Sequence, residues 1–359
     1  MTLELVSSPP STSTSPASTS PASTSPAPTR PSSALHSFDE EERPPDVIGR
    51  VITALIVGVP FLALAVGVVS LWGRGVGMRD VLLAVSLYFL TGHGMTIGFH
   101  RLLAHKSFVA RRSLKLTLIA LGSMSFEGGP ISWVANHRRH HVFSDTADDP
   151  HSPQHRGGGS GGLLKGLWHA HVGWLFTARS TSRQRHASDL LADRDIVVMD
   201  ALFPIWCVVS LALPFGLGWL LGGTLAAALS ALLWAGLVRI CVLHHATWSV
   251  NSVCHTFGRR PFATKDRSSN VAMLAVISMG ESWHNSHHAF PRSVRHGLLR
   301  GQWDSSARLI RAFERLALAD ELHWPNPDAI RNRSVANGQD HGRPASHRRT
   351  DLPDQGGRW

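Results

Sequence analysis

Cysteine is nearly missing from this chain. There are three, Cys207, Cys241 and Cys254, two of them inside apolar runs. An odd, scattered set makes neither a disulfide framework nor a thiolate cage for an iron–sulfur cluster. Charge is scarce as well, at 17% of 359 residues, and acids are the scarcer sign: 25 Asp+Glu against 35 Lys+Arg leave a formal net charge of +10. No nucleic-acid motif accompanies the basic balance, so no nucleic-acid partner is expected. No Gly-rich dinucleotide fingerprint and no haem-binding domain is present, so any redox chemistry must draw electrons from elsewhere. The N-terminus lacks the basic patch and apolar core of a secretory leader, and none is expected. Tyrosine is reduced to one, Tyr88, against 12 Trp, and Trp favours the membrane–water interface.

What the chain has instead is hydrophobicity, 43% of its residues. Four segments, about 47–72, 81–99, 196–217 and 221–243, are long and apolar enough to span, given that roughly 20 residues cross the hydrocarbon core. Almost no ionisable group is expected inside them beyond His93. A shorter stretch at 114–126, stopped by Gly128-Gly129-Pro130, reads as a re-entrant or interfacial helix. Short connections pair the spans into two helical hairpins. The long loop between the hairpins and the region after the fourth span are rich in Arg, which marks the cytoplasmic side; Arg74 and Arg79 in the first short loop dissent mildly. The fold class that follows is an all-α integral, multi-pass cell-membrane protein, with both termini cytoplasmic. Residues 1–45, a Ser/Thr/Pro/Ala repeat, read as a disordered tail. The membrane domain is 46–325, and 326–359, with His341 and His347, is a second polar tail.

All the strong chemistry is in three short boxes beside the spans: His100 and His105 in HRLLAH, His137, His140 and His141 in HRRHH, and His284, His287 and His288 in HNSHH. The predicted topology puts all three on one cytoplasmic face. Positions i, i+3 and i+4 share one side of a helix, so the second and third boxes each present three imidazoles in one patch. His100 and His105, five apart, fall off a common face, so one of them is expected where the second span ends or bends. His255, with Asn251 one turn before it, is a ninth candidate. Eight or nine imidazoles exceed what one ion takes, and an all-nitrogen set suits an iron pair handling oxygen better than a hydrolytic zinc site with its three ligands and water. His93, His151, His169, His171, His244 and His245 are expected in structural or supporting roles. Ligating imidazoles normally donate their other N–H to a carboxylate, for which Glu127, Asp145, Asp148, Asp149, Asp266 and Glu281 are candidates. Arg101, Lys106, Arg138, Arg139 and Arg292 could meet a phosphate.

The stretches GFHRLLAHKSF, WVANHRRHHVFSDTADDPHSP, HVGWLF, TWSVNSVCHTFG and GESWHNSHHAFPRSVRHG together resemble the membrane fatty acyl desaturases of the stearoyl-CoA type, over about residues 85–305. The resemblance implies a four-helix stem under a cytosolic helical cap that holds two irons. One iron would take His100, His105, His137, His141 and His287; the other would take His140, His255, His284 and His288, with a water held by Asn251. It implies an O2-dependent reaction that leaves a cis double bond in a long acyl chain, most often at carbon 9. The electrons would come from a separate ferredoxin-like or flavoprotein donor. It also implies an acyl tunnel closed among the first two spans. Tyr88, twelve residues or roughly 18 Å along a helix before His100, is a candidate floor, and Trp133 and Trp248 are further candidates for substrate contact. The charged groups that animal relatives place before the second box are replaced by Val134, Ala135 and Asn136, and the third box lacks the family's usual second Asn. Acyl-CoA, acyl-carrier protein and acyl lipid therefore all stay open as substrates. A hydroxylase on the same scaffold is the alternative enzyme. A histidine-rich metal transporter is a third reading, which would require ionisable groups lining the spans.

Overall fold

The computed structural model describes residues 45–71, 76–154, 159–177 and 179–335; the two expected tails up to residue 44 and from residue 336, with Arg74, His341 and His347, lie outside them. Four helices are long and apolar enough to cross a membrane: α1 (Val47–Leu71), α2 (Met78–Ala104), α7 (Phe203–Gly222) and α8 (Leu225–Ser252). Between α2 and α7 come α3 (Arg112–Ser123), α4 (Pro130–Phe143), α5 (Gly159–Trp168) and α6 (Arg194–Ala201). After α8 follow α9 (His284–Ala289), α10 (Ser305–Arg315) and α11 (Pro327–Arg333). The described strands, β1 (Val109–Ala110) and β2 (Ala319–Asp320), form one short antiparallel pair.

Two spans run further than hydropathy suggests. α2 extends to Ala104 and α8 to Ser252, so both carry histidine-bearing polar segments on a continuous helix. The third expected span divides instead. The stretch at 194–201 is a separate helix, capped by Asp193 on the N–H groups of Asp195 and Ile196, and the spanning helix begins at Phe203 with Pro204 in its first turn. Proline is tolerated there because the first-turn N–H groups have no intrahelical partner. Gly223, in the left-handed conformation at φ 64°, ends α7 and turns the chain into α8. Only 17% of the apolar windows of α1 and α7 is buried, against 44% for α2 and 50% for α8. The first two are therefore the outer pair and the latter two the inner pair.

The inner spans carry more charge than the sequence reading allowed. Arg239 in α8 is 2% exposed. It donates to Thr91 Oγ1 of α2 (3.2 Å), Met124 O after α3 (3.2 Å) and Ser210 Oγ of α7 (2.7 Å). His244 lies at 2.8 Å from Ser125 O, and Asp80 meets Arg79 and Ser230. These groups are spent on pinning neighbouring elements together. Buried polar groups need such partners.

The helix at α3, expected at an interface, lies against the end of α2. The two backbones meet at glycines: a Cβ at Gly94 would stand 2.2 Å from Gly122 N, and one at Gly98 would stand 2.9 Å from Leu118 O. Around this contact Ile97, Phe99, Ile119, Ile131 and Val134 form the main buried cluster. The polar stretch after Asn326, expected to be a tail, starts with order. Asn326 caps α11, and Ile330 packs on Phe262, Ala289 and Leu298 beneath the third box. Gly94→Ala should cost about 1–3 kcal/mol through overpacking against backbone that cannot yield, read as a lower thermal unfolding midpoint in detergent; an unchanged midpoint would refute the close approach.

Candidate metal centre

The first box is held by a local widening of α2. From Gly94 to Ala104 the helix is π-helical, and His105 N–H donates to His100 O at 3.1 Å, five residues back. Bonding at i→i+5 puts residues five apart in line, so the two imidazoles that an α-helix would separate come together, ring centroids 4.8 Å apart. α2 ends at Ala104, so His105 stands at its C-terminal cap, where the sequence reading put one of the pair. The second box lies on α4, opened by Pro130 at its first position, and the third on α9, a helix of six residues. His255 follows the end of α8.

The nine imidazoles gather into two groups. His100, His105, His137, His141 and His287 offer ligand atoms all within 4.8 Å of one another, and so do His140, His255, His284 and His288. Their Nε2 atoms face inward: His105 to His137 is 2.8 Å, His100 to His287 is 3.1 Å and His141 to His287 is 3.0 Å. In the second group His284 stands 3.0 Å from both His255 and His288. The division matches the one the resemblance implies.

Outward, the Nδ1 atoms meet carboxylates. His100 reaches Glu281 at 2.6 Å, His140 reaches Asp149 at 2.9 Å, His255 reaches Asp145 at 2.9 Å and His288 reaches Asp266 at 2.7 Å. Such partners fix the tautomer, with the proton on the outer nitrogen and the lone pair on the inner one. Burial, then the neighbouring imidazoles, hold His105, His137, His141, His284, His287 and His288 well below the usual imidazole range, so they are neutral. For His140 burial opposes protonation but Asp149 outweighs it, and its value rises. Burial favours the neutral acid at Asp149 and Glu281, yet the facing His140 and His100 respectively hold both carboxyls below their usual range.

Two observations fit cations at these points. His140 Nε2 is buried and has no partner, although its Nδ1 is committed to Asp149. Asp149 and Asp266 are buried carboxylates that meet imidazoles, hydroxyls and backbone N–H groups, with no Lys or Arg among the described residues to neutralise them. Neutral nitrogen donors inside a ring of negative charge make a site for transition-metal ions.

Some expected residues go elsewhere. Arg101 meets no phosphate: it is fully buried between Glu281 (3.1 Å) and Asp304 (3.1 Å) and donates to Val294 O. Arg138 is spent on Asp189 and the carbonyls of Leu103 and Ala104. The Asp148 carbonyl accepts from Arg139 Nε at 3.1 Å. Glu127 is held by Thr247 and the Trp133 indole, and burial pushes its carboxyl up to about 8, so it is protonated at neutral pH. His296 was missed. Its ring lies 4.4 Å from that of His287, and its Nδ1 is 3.2 Å from Glu281. The RHG that carries it was visible in the sequence, but at the far end of a loop with no box spacing.

Beside the imidazoles lies an apolar chamber. Its walls are Met95, Leu243, Ala246 and Val250 from the inner spans and Ile277 and Met279 from the loop before the third box. His100, His137, His284 and Asn251 stand at one part of its wall. Trp133 stacks on His137 (5.1 Å, 11°) and lines this chamber and a wider mouth that Trp248, His151, Trp174 and Arg179 also line. Tyr88 is not in the chamber wall. It packs on Leu243 and Met279, which are, and donates to Ile277 O at 2.7 Å. Asp149→Asn should lower affinity for the bound metal about 10–100-fold, measured as metal per chain after dialysis against a weak chelator; full retention would remove the carboxylate from any role in holding His140.

The comparisons with known proteins agree with this geometry. Residues 80–310 match the family model described as fatty acid desaturase. A hex-5-enoyl-(acyl-carrier protein) acetylenase of Moorena producens (strain JHB) is 36% identical over 280 residues, 77% of this chain and 87% of the relative. An sn-1 stearoyl-lipid 9-desaturase of Anabaena variabilis is 38% identical over 243 residues, 67% of this chain and 82% of the relative. An acyl-CoA C20 Delta5-desaturase of Anemone leveillei is 35% identical over 257 residues, 70% and 76% respectively. With the match covering both histidine groups and the inner spans, the chain belongs to the fatty acid desaturase family.

Proposed function

We propose that this protein is a membrane acyl desaturase that places a cis double bond at carbon 9 of a long saturated acyl chain. The observation that carries the reading is the apolar chamber with His100, His137 and His284 in its wall. Two irons, one in each imidazole group, would supply the oxygen chemistry that an unactivated methylene demands, because protein acid–base groups have no charge or acidic proton to act on. His100, His105, His137, His141 and His287 would hold one ion, and His140, His255, His284 and His288 the other, with Asn251 placing a water. The relatives named above act on carrier-protein, lipid and CoA substrates, so the reading extends to an acyl chain on any of these head groups.

The chain's own residues supply position. The chamber's aliphatic walls exclude water and hold the acyl chain, and the distance from imidazoles to floor selects which C–C bond faces the centre. Met279, buried and in the left-handed conformation at φ 56°, lies with Leu243 and Gly92 in that wall, and Tyr88 backs it. The imidazoles and the Arg-rich loops occupy one end of the spans, which supports a cytoplasmic face for the site and both termini. Electrons from a ferredoxin-like or flavoprotein donor complete the reaction.

Cells expressing the chain aerobically with a compatible reductase should gain a monounsaturated fatty acid, seen by mass spectrometry of methyl esters, that His284→Ala abolishes. A hydroxy acid in its place would move the chain to the hydroxylase reading. Met279→Ala, and more so Met279→Ala with Tyr88→Ala, should shift the products to longer chains. Each extra buried methylene is worth roughly 0.8 kcal/mol, or about fourfold in preference. An unchanged chain-length profile would show that the floor lies elsewhere.

A further inference from the structure

The imidazoles line several cavities, and these touch different members; His255 lies in the wall of one beside Arg260 and Arg267. The acyl chamber and its mouth reach His100, His137 and His284. A second, open recess shares no residue with either. It reaches His105 and His141 of one group and His288 of the other. Its wall is unsuited to an acyl chain, because cations stand around it: Arg138, Lys265 and Arg333. Arg138 is neutralised by Asp189. Lys265 and Arg333 are exposed and are bonded to the backbone carbonyls of Val142 and Ala289. Neither meets a carboxylate among the described residues. Asp266, the one acid in the wall, is buried and committed to His288. Between the cations lie Val142, 56% exposed, with Ala263 and Pro291.

We propose that this recess is the docking surface for the electron donor, a small acidic one-electron carrier protein. The inference rests on the desaturase reading and adds to it where the electrons enter. Converting –CH2–CH2– to –CH=CH– while reducing O2 to two waters takes up two further electrons and two protons. A one-electron carrier must therefore dock, leave and dock again in each turnover. That calls for a fast, weak and reversible encounter, which charge complementarity around a small apolar centre provides. The site for it must also leave the acyl chain in place. The recess meets both demands: Lys265 and Arg333 meet no carboxylate among the described residues, and a carrier seated there abuts ligand imidazoles that the acyl cavities do not touch.

The test uses the full chain, iron-loaded in detergent, with two reductants: a plant-type 2Fe–2S ferredoxin kept reduced by NADPH and its flavoprotein reductase, and photoreduced methyl viologen, which needs no docking surface. Lys265→Glu with Arg333→Glu should raise KM for ferredoxin about tenfold or more and flatten the salt dependence of the ferredoxin rate. The viologen-driven rate should not change. An unchanged KM for ferredoxin would overturn the surface. An equal loss with both reductants would also overturn it, because it would assign the two cations to supporting the imidazoles. Alkene formation by the wild-type chain with either reductant keeps the desaturase reading standing in all of these outcomes. Its absence with both would sink that reading, and the surface with it.

Discussion

The constraint on which the rest of this structure depends is that nine imidazoles must each turn a free lone pair inward. Burial and the neighbouring imidazoles keep six of them neutral, His105, His137, His141, His284, His287 and His288, but neutrality does not choose which nitrogen carries the proton. That choice is made by the carboxylates on the outer side, Glu281 on His100, Asp149 on His140, Asp145 on His255 and Asp266 on His288. The carboxylates in turn need support. Glu281 is gripped by Arg101, and Arg101 by Asp304, which also caps α10 through Ala307 N–H. Helix ends, buried charges and site geometry thus form one bonded system, and the helices that carry the histidine boxes are arranged around it.

The stem serves the same end by a different means. α2 and α8 reach past the apolar segments and carry polar cargo on unbroken helices, so the histidines inherit the rigidity of the spans. Arg239 joins four elements near that junction. The close passage of α2 and α3 at glycines seats the first box against the main buried cluster. The apolar chamber between α2, α8 and the loop at 277–279 is then a by-product of two helices held at fixed distance by contacts elsewhere.

Much of this was legible in the sequence. The boxes, the four spans, His255 with Asn251, and four of the outer carboxylates could be named because each has a local signature: a spacing, a run of apolar residues, or an acid near a box. What was not legible depends on partners far along the chain. Arg101 looks like a surface cation in HRLLAH, and only the arrival of Glu281 and Asp304, some 180 and 203 positions away, makes it a buried one. His296 reaches the centre through a loop. Tyr88, named from the sequence as a floor, packs behind Leu243 and Met279 and not in the chamber wall, because a helix count gives height along an axis and says nothing of which side chain intervenes. The ends of α2 and α8 were misjudged because hydropathy measures where lipid stops, and these helices do not stop there.

The wide turn from Gly94 to Ala104 separates two kinds of failure that usually coincide. It accommodates residues that an ordinary helix of the same length would not hold. Were the same residues wound at α-helical pitch, the helix would stay continuous, but everything on its N-terminal side would turn relative to the first box. The stem would still be a stem and the nitrogen cage still a cage, but the chamber would open toward the wrong wall. In this molecule the alignment of the apolar half with the histidine-bearing half is therefore a matter of phase, set by the local pitch of one helix.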